Sequence, residues 1–454
     1  MPVTLIVLII YINVIPFYYV DEAVVGHSMY IFVKYLPFIL SVLFFCQVLI
    51  KQKAILLYEI KNQRLIHLLL VFQLWCIFTL CFSDYTRLGL IKNIYYTFTG
   101  VLIFLSVVLL KINLQDLKKV ANYTVVSVTV TAIYGIYAYI SSSDPFWFYL
   151  PLENKHYIIS EVVKTYENNF ADKHWVDHYK STYRVVSTVG NPVVYSSLLS
   201  STIPLILFFI FSSRKNTTRF FYVFLFFSVA FCTLLTFSRG AYLSGCIGIC
   251  TFIIMAVDKE NICLSRIIKT SAIFFIIIFL IMNLFEKSAT KAFDLMSLRF
   301  ENFLDSNSIL SRISRIETAI YLMEENYLTG LGNTVLTDYI RDNSHIISFN
   351  SSIVTMDNMY LTIMCEVGVV GILLFLLFLL KAVFQPTIAL MKSFQDSNNY
   401  AKTFAFACSA SIFSMIFNMA TWDLLNNPVM RTNFWILLGL FFHSCNLHKV
   451  YKSN

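Results

Sequence analysis

Runs of about twenty mostly apolar residues recur along almost the whole 454-residue chain, and a helix of that length crosses the roughly 30 Å hydrocarbon core of a bilayer. The runs are continuous, not alternating in polarity, which selects spanning helices over barrel strands. With 58% hydrophobic residues, only 13% charged residues and a mean hydropathy of +0.70, a soluble domain of this length is excluded. The expected fold class is therefore an all-α integral membrane protein. Candidate spans fall at about 2–20, 29–50, 65–83, 89–110, 119–142, 193–212, 219–237, 240–257, 268–285, 358–380, 400–420 and 432–446, or about twelve transmembrane helices. The 2–20 run has neither a basic residue before it nor a small-residue cleavage site after it, and reads as a retained helix.

Lysine and arginine in alternate connections set the orientation. Lys51, Lys53, Lys61 and Arg64, then Lys111, Lys118 and Lys119, then Arg214, Lys215 and Arg219, followed by Lys259 and Arg266, Lys381, Lys392 and Lys402, and the tail with Lys449 and Lys452, all belong inside. Both termini are expected in the cytoplasm. The organisation is a single polytopic membrane domain, 1–454, with two large extracytoplasmic loops at 143–192 and 286–357. A net charge of +8 fits inside loops next to anionic lipid and implies no nucleic-acid partner. The ten cysteines lie almost entirely in apolar runs, so no disulfide framework is expected.

Chemistry concentrates in four short motifs. "TFSRG" puts Arg239 between two spans, where an ionisable residue calls for a functional explanation. "YRVVSTVGNP" brings Arg184 to the end of the first loop, and Asn191 and Pro192 to the start of a span. "SRISRIETAIYLMEENYLTGLGN" contains Ile309, Ile313, Ile316, Ile320, Met323 and Tyr327 at three- and four-residue intervals. This predicts an amphipathic helix, capped near Ser308 and stopped near Gly330, with Gly332 just beyond and Arg312 and Arg315 one turn apart beside the apolar stripe. "MDNMYLTIMCEVG" sets Asp357 and Asn358 at the mouth of the next span, where Asp357 suits either helix capping or acid–base work. For the arginines the competing readings are a snorkelling side chain and a solvated basic face.

Placed on one topology, Arg184, Arg239, Arg312, Arg315 and Asp357 all reach the outer face. Several guanidiniums with one carboxylate suit a phosphorylated or pyrophosphorylated ligand and one acid–base partner. His174 and His178, with Asp177 between them, could ligate a metal, but they sit in a stretch of mixed charge that reads as a solvated loop. The expectation is no metal site and no cofactor.

The ordered set of motifs, from about residue 184 to 378, resembles the bacterial O-antigen ligase and polymerase superfamily. The resemblance implies a metal-independent glycosyltransferase at the outer face of the bacterial cytoplasmic membrane. Its substrates would be undecaprenyl-diphosphate-linked glycans for O-antigen, capsule or exopolysaccharide. A flippase and a chain-length regulator are the implied protein partners. Arg184, Arg239 and Arg312, with Arg315 as the alternative to Arg312, would bind the diphosphate. Asp357, Arg239 and Arg312 would form the catalytic set, with Asn191, Asn358, Gly330 and Gly332 in support. Ligases of this superfamily typically carry His-Asn where this chain has Asp357-Asn358, and His345 is the nearest histidine. That departure favours a repeat-unit polymerase over a ligase that transfers finished glycan to a lipid or protein. A flippase is the reading from another class, and it would rest on intramembrane charges such as Lys34 and Lys92.

Overall fold

The computed structural model describes residues 38–50, 64–110, 113–140, 185, 191–256, 306–324, 326–343, 355–392 and 400–453. Among these residues the regular structure is entirely helical. In chain order the helices are α1 (Phe38–Ile50), α2 (Arg64–Thr79), α3 (Thr86–Thr99), α4 (Val101–Leu109), α5 (Leu114–Ile140), α6 (Pro192–Ser212) and α7 (Asn216–Leu235). They continue with α8 (Arg239–Ala256), α9 (Ser306–Glu324), α10 (Leu336–Asp342), α11 (Met359–Leu379), α12 (Gln385–Lys392), α13 (Tyr400–Met419) and α14 (Pro428–Ser453).

Eight stretches of the described residues are long and apolar enough to cross a membrane: Arg64–Phe82, Thr86–Leu109, Leu114–Tyr137, Pro192–Ser212, Asn216–Leu235, Arg239–Ala256, Met359–Lys392 and Tyr400–Met419. Each overlaps an expected span. The expected spans 2–20 and 268–285 lie outside the described residues, and 29–50 is described only as the shorter helix α1. The run expected at 432–446 is helical throughout, but its helix begins at Pro428 and takes in the polar Arg431 and Asn433.

The centre of the bundle is α6, which packs against α5, α7, α8, α13 and α14 and is buried along nearly its whole length. Its start follows from its sequence. Pro192 occupies the first turn, where its missing N–H is no loss. The Asn191 carboxamide oxygen accepts from the Val193 and Val194 N–H groups at 2.8 and 3.1 Å, a capping arrangement worth about 1 kcal/mol.

Small polar groups join the central helices. Asn418 Nδ2 of α13 donates to Ser244 Oγ of α8 at 2.8 Å and to Ser200 Oγ of α6 at 3.4 Å. Gly248 lets α8 approach Pro204 and Ser414 so closely that a β-carbon there would stand 3.2 Å from each. Both devices are typical of helix packing in lipid.

A second, smaller apolar cluster lies at the N-terminal end of α11. Ala319 and Leu322 of α9, Leu331, Val335, Leu336 and Ile340, Met356, and Cys365 of α11 close over Leu80. This cluster fixes the segment 306–343 against the transmembrane bundle, and on it the candidate site is built.

Candidate functional site at one end of the bundle

At the mouth of α11, helix capping and charge pairing fall to different residues. The Asn358 side chain caps the helix, accepting from the Tyr360 and Leu361 N–H groups at 3.0 and 3.3 Å. Asp357 therefore does not fill the capping position that its sequence context allows. Its carboxylate meets the Arg315 guanidinium at 2.8 Å and accepts from the Thr355 hydroxyl at 2.8 Å. Arg315 also donates through Nε to the Thr355 carbonyl at 3.1 Å, so one guanidinium clasps both ends of the 355–357 turn. Asp357 has a φ of 47°, a left-handed conformation uncommon outside glycine.

Behind this turn stands Asp423, in the connection between α13 and α14. Its carboxylate accepts from the Asn358 N–H at 3.2 Å and from the Thr362 hydroxyl at 2.5 Å, with a further backbone bond from Met356. Burial pushes the Asp423 carboxyl up to about 6, and the nearby Asp357 charge adds to this against the Thr362, Asn358 and Met356 donors. The alternation of basic connections makes 421–431 an outer connection and says nothing more of it. The partners of Asp423 are some sixty residues away in the chain, and no local spacing announces them.

The remaining motifs reach the same end through successive contacts. Val185, next to Arg184, donates its N–H to the Leu235 carbonyl at the end of α7, just before "TFSRG". Arg184 itself lies outside the described residues. Arg239 is the first residue of α8 and is half-buried. Phe237, two residues earlier, has a φ of 50°. Gly240, the next residue, abuts Thr421 so tightly that a β-carbon would lie 2.6 Å from its hydroxyl, and Thr421 is two residues from Asp423. The segments 235–240, 421–423 and 355–358 and helix α9 thus form one continuous run of neighbours. The left-handed Phe237 and Asp357 both fall within it, and strained backbone of this kind concentrates at functional sites.

Several expectations change on contact with the structure. Helix α9 begins at Ser306 and ends at Glu324, with a turn leading to Gly330, so it stops earlier than the expected Gly330 boundary. Arg315, not Arg312, meets Asp357. Arg312 lies on the exposed side of α9 and makes no hydrogen bond or ion pair to a described residue. Gly330 and Gly332 have φ values of 68° and 108° and press on the Cys365–Glu366 backbone and on Ser83. They shape the loop against α11 and contribute no functional group. Lys92, weighed as an intramembrane charge, pairs with Asp338 of α10, and Lys34 lies outside the described residues, as do His174, Asp177, His178 and His345.

Two buried groups were also illegible beforehand. Glu366 lies within α11, and its side chain accepts weakly from the Leu336 N–H at 3.4 Å. Arg431 stacks its guanidinium 3.7 Å over the Tyr96 ring, donates to Thr99 Oγ1 at 3.0 Å and holds the Leu425 carbonyl at 2.9 Å. It ties the 424–427 turn to α3.

No curated protein matches the chain. Residues 223–376 match the family described as O-antigen ligase, a stretch that contains Arg239, Arg312, Arg315, Asp357 and Asn358 and ends before Asp423. That match, over about a third of the chain, supports the place of this polytopic helical membrane protein in the O-antigen ligase/polymerase superfamily.

Proposed function

We propose that the protein is a polysaccharide polymerase that joins undecaprenyl-diphosphate-linked oligosaccharide repeat units at the outer face of the bacterial cytoplasmic membrane. The observation that carries this reading is the Arg315–Asp357 pair at a helix mouth where Asp357 is not needed as the cap. In the reaction an acceptor sugar hydroxyl attacks the anomeric carbon of the donor glycan. The bond from that carbon to the lipid diphosphate breaks, and its electron pair leaves with the diphosphate. Asp357 takes the hydroxyl proton, oriented by Arg315 and Thr355. Arg239, Arg312 and Arg184 bear the charge that grows on the leaving diphosphate, so the chemistry needs no metal. Arg312, on an exposed helix face, presents its guanidinium to the ligand.

A ligase is the second reading, favoured by the description of the matching family. Deletion of the gene separates the two. Lipid-linked single repeat units accumulating outside support polymerisation. Full-length glycan left unattached to its acceptor would overturn it in favour of the ligase, and intermediates trapped on the cytoplasmic side would overturn both in favour of a flippase.

A further inference from the structure

Helix α9 has two apolar faces, and among the described residues only one is covered by protein. Thr318, Ala319 and Leu322 are at most 6% exposed and turn toward α11. Ile313, Ile316 and Ile320, the heart of the stripe read from the sequence, are 45, 46 and 55% exposed. At about 100° per residue the two sets are centred roughly 145° apart, so the stripe points away from the bundle. Arg312 borders it on one side and Glu317 and Glu324 on the other.

The depth of α9 says what meets that stripe. Twenty residues counted back from Lys381, the first charge at the far end of α11, reach Leu361, and about twenty apolar residues span the hydrocarbon. Cys365 then lies roughly 6 Å inside the bilayer at ~1.5 Å per residue, and Val369, just past Gly368, lies deeper still. Protein reaches both levels from the 306–332 segment. The Ala319 carbonyl of α9 receives the Cys365 thiol at 3.8 Å. The Leu331 and Gly332 N–H groups bond the Cys365 and Glu366 carbonyls at 2.9 Å, and Val369 donates to the Tyr327 carbonyl at 2.8 Å.

These bonds exist because α11 is broken at Gly368, whose φ of 69° and ψ of −174° leave helical geometry. A β-carbon there would sit 2.1 Å from the Leu328 carbonyl oxygen. Irregular backbone at such depth is tolerated where protein satisfies its polar groups, and here the inserted chain meets the Cys365 and Glu366 carbonyls and the Val369 N–H, while the Trp75 indole of α2 donates to the Val367 carbonyl at 2.9 Å. Tyr327 and Leu328, at this deepest point, are 57 and 50% exposed. They continue the exposed apolar surface of α11 itself, with Val369 and Leu373.

We propose that 306–332 is a half-inserted, re-entrant segment whose outward stripe, Ile313, Ile316 and Ile320 together with Tyr327 and Leu328, rests against lipid acyl chains in the leaflet at the N-terminal end of α11. Arg312 and Glu317 then mark the water line on either flank of the helix, as in interfacial amphipathic helices. The inference concerns lipid contact and stands independently of the catalytic reading.

Single cysteines at Ile316, Ile320, Leu328 and Glu317, in an otherwise cysteine-free protein carrying a bimane label and reconstituted in phosphatidylcholine vesicles, test it. Brominated acyl chains should quench positions 316, 320 and 328 at least about twofold more than position 317, and aqueous iodide should show the reverse order. Equal iodide quenching at all four positions would place the segment in water and overturn the proposal. Resistance of 316 and 320 to both quenchers would overturn it too, by showing a protein cover from this chain or a second copy.

Discussion

The contrast between Asp357 and Asn358 shows how adjacent polar residues can hold separate duties. Asn358 satisfies two orphan N–H groups of α11, and Asn358→Ala should lower stability by about 1 kcal/mol. Asp357→Asn leaves that cap intact and removes only the carboxylate that faces Arg315. We expect this variant at near wild-type levels with glycan polymerisation reduced at least ~100-fold, the low end of a general base's contribution. Unchanged chain length in a surface-glycan ladder would confine Asp357 to anchoring α9.

Asp423 gives a pH signature. Its folded-state value of about 6 lies above its ordinary 3.8, so the folded protein favours the protonated carboxyl. Stability from this group is full below pH ~4 and is lost as pH rises through ~6, by about 3 kcal/mol at 1.36 kcal/mol per unit. Thermal melting of the purified protein should show this fall between pH 4 and 6, and Asp423→Asn should flatten it. The same slope in both proteins would remove Asp423 from the account.

At the scale of elements, what the sequence reveals depends on how far apart the partners lie. The spans are legible because a twenty-residue apolar run needs no partner to be recognised, and the start at Asn191-Pro192 is legible because capping is local. Helix α9 was legible as a helix, but not in its orientation. Its periodic isoleucines look like a core stripe, whereas the smaller Thr318 and Ala319 permit the close approach to α11 and take the buried side. The break at Gly368 was equally hidden, since the run 358–380 reads as unbroken helix and only the inserted 327–332 backbone explains the glycine. Gly368→Ala should destabilise by at least about 1–3 kcal/mol from backbone conformation alone, with the Leu328 overlap adding to it. Gly245→Ala, where the nearest atom is 3.5 Å from the added carbon, should be nearly silent, and a comparable melting-temperature loss in both variants would contradict this account of α11.

At the scale of the molecule, a helical bundle with α6 at its centre carries the candidate site at one end, where segments far apart in sequence meet: 185 with 235, 240 with 421, 423 with 358, and 357 with 315. The motifs named the members of this assembly other than the 421–423 segment, but the register between them, including the choice of Arg315 over Arg312 beside Asp357, is a property of packing that no motif encodes. The loading of alternate connections with lysine and arginine predicts that this end faces outward. Cysteines at Ser181 and Ser344 should react with an impermeant thiol reagent in intact spheroplasts, and one at Ser213 should not. The opposite pattern would turn the molecule over.

The proposed function has this end of the bundle gripping a diphosphate while glycan is transferred. Its most direct test is purified protein in vesicles with a synthetic undecaprenyl-diphosphate repeat unit, following the release of undecaprenyl diphosphate and the growth of lipid-linked glycan. The wild type should extend the glycan. Arg239→Lys keeps a cation able to reach the interface but loses the planar fork that matches phosphate oxygens. An interaction of about 2–3 kcal/mol then predicts a rate drop of roughly 30- to 150-fold with folded protein at normal levels. Extension by Arg239→Lys at the wild-type rate would mean that the arginine serves only the membrane boundary, and the diphosphate clamp would be wrong.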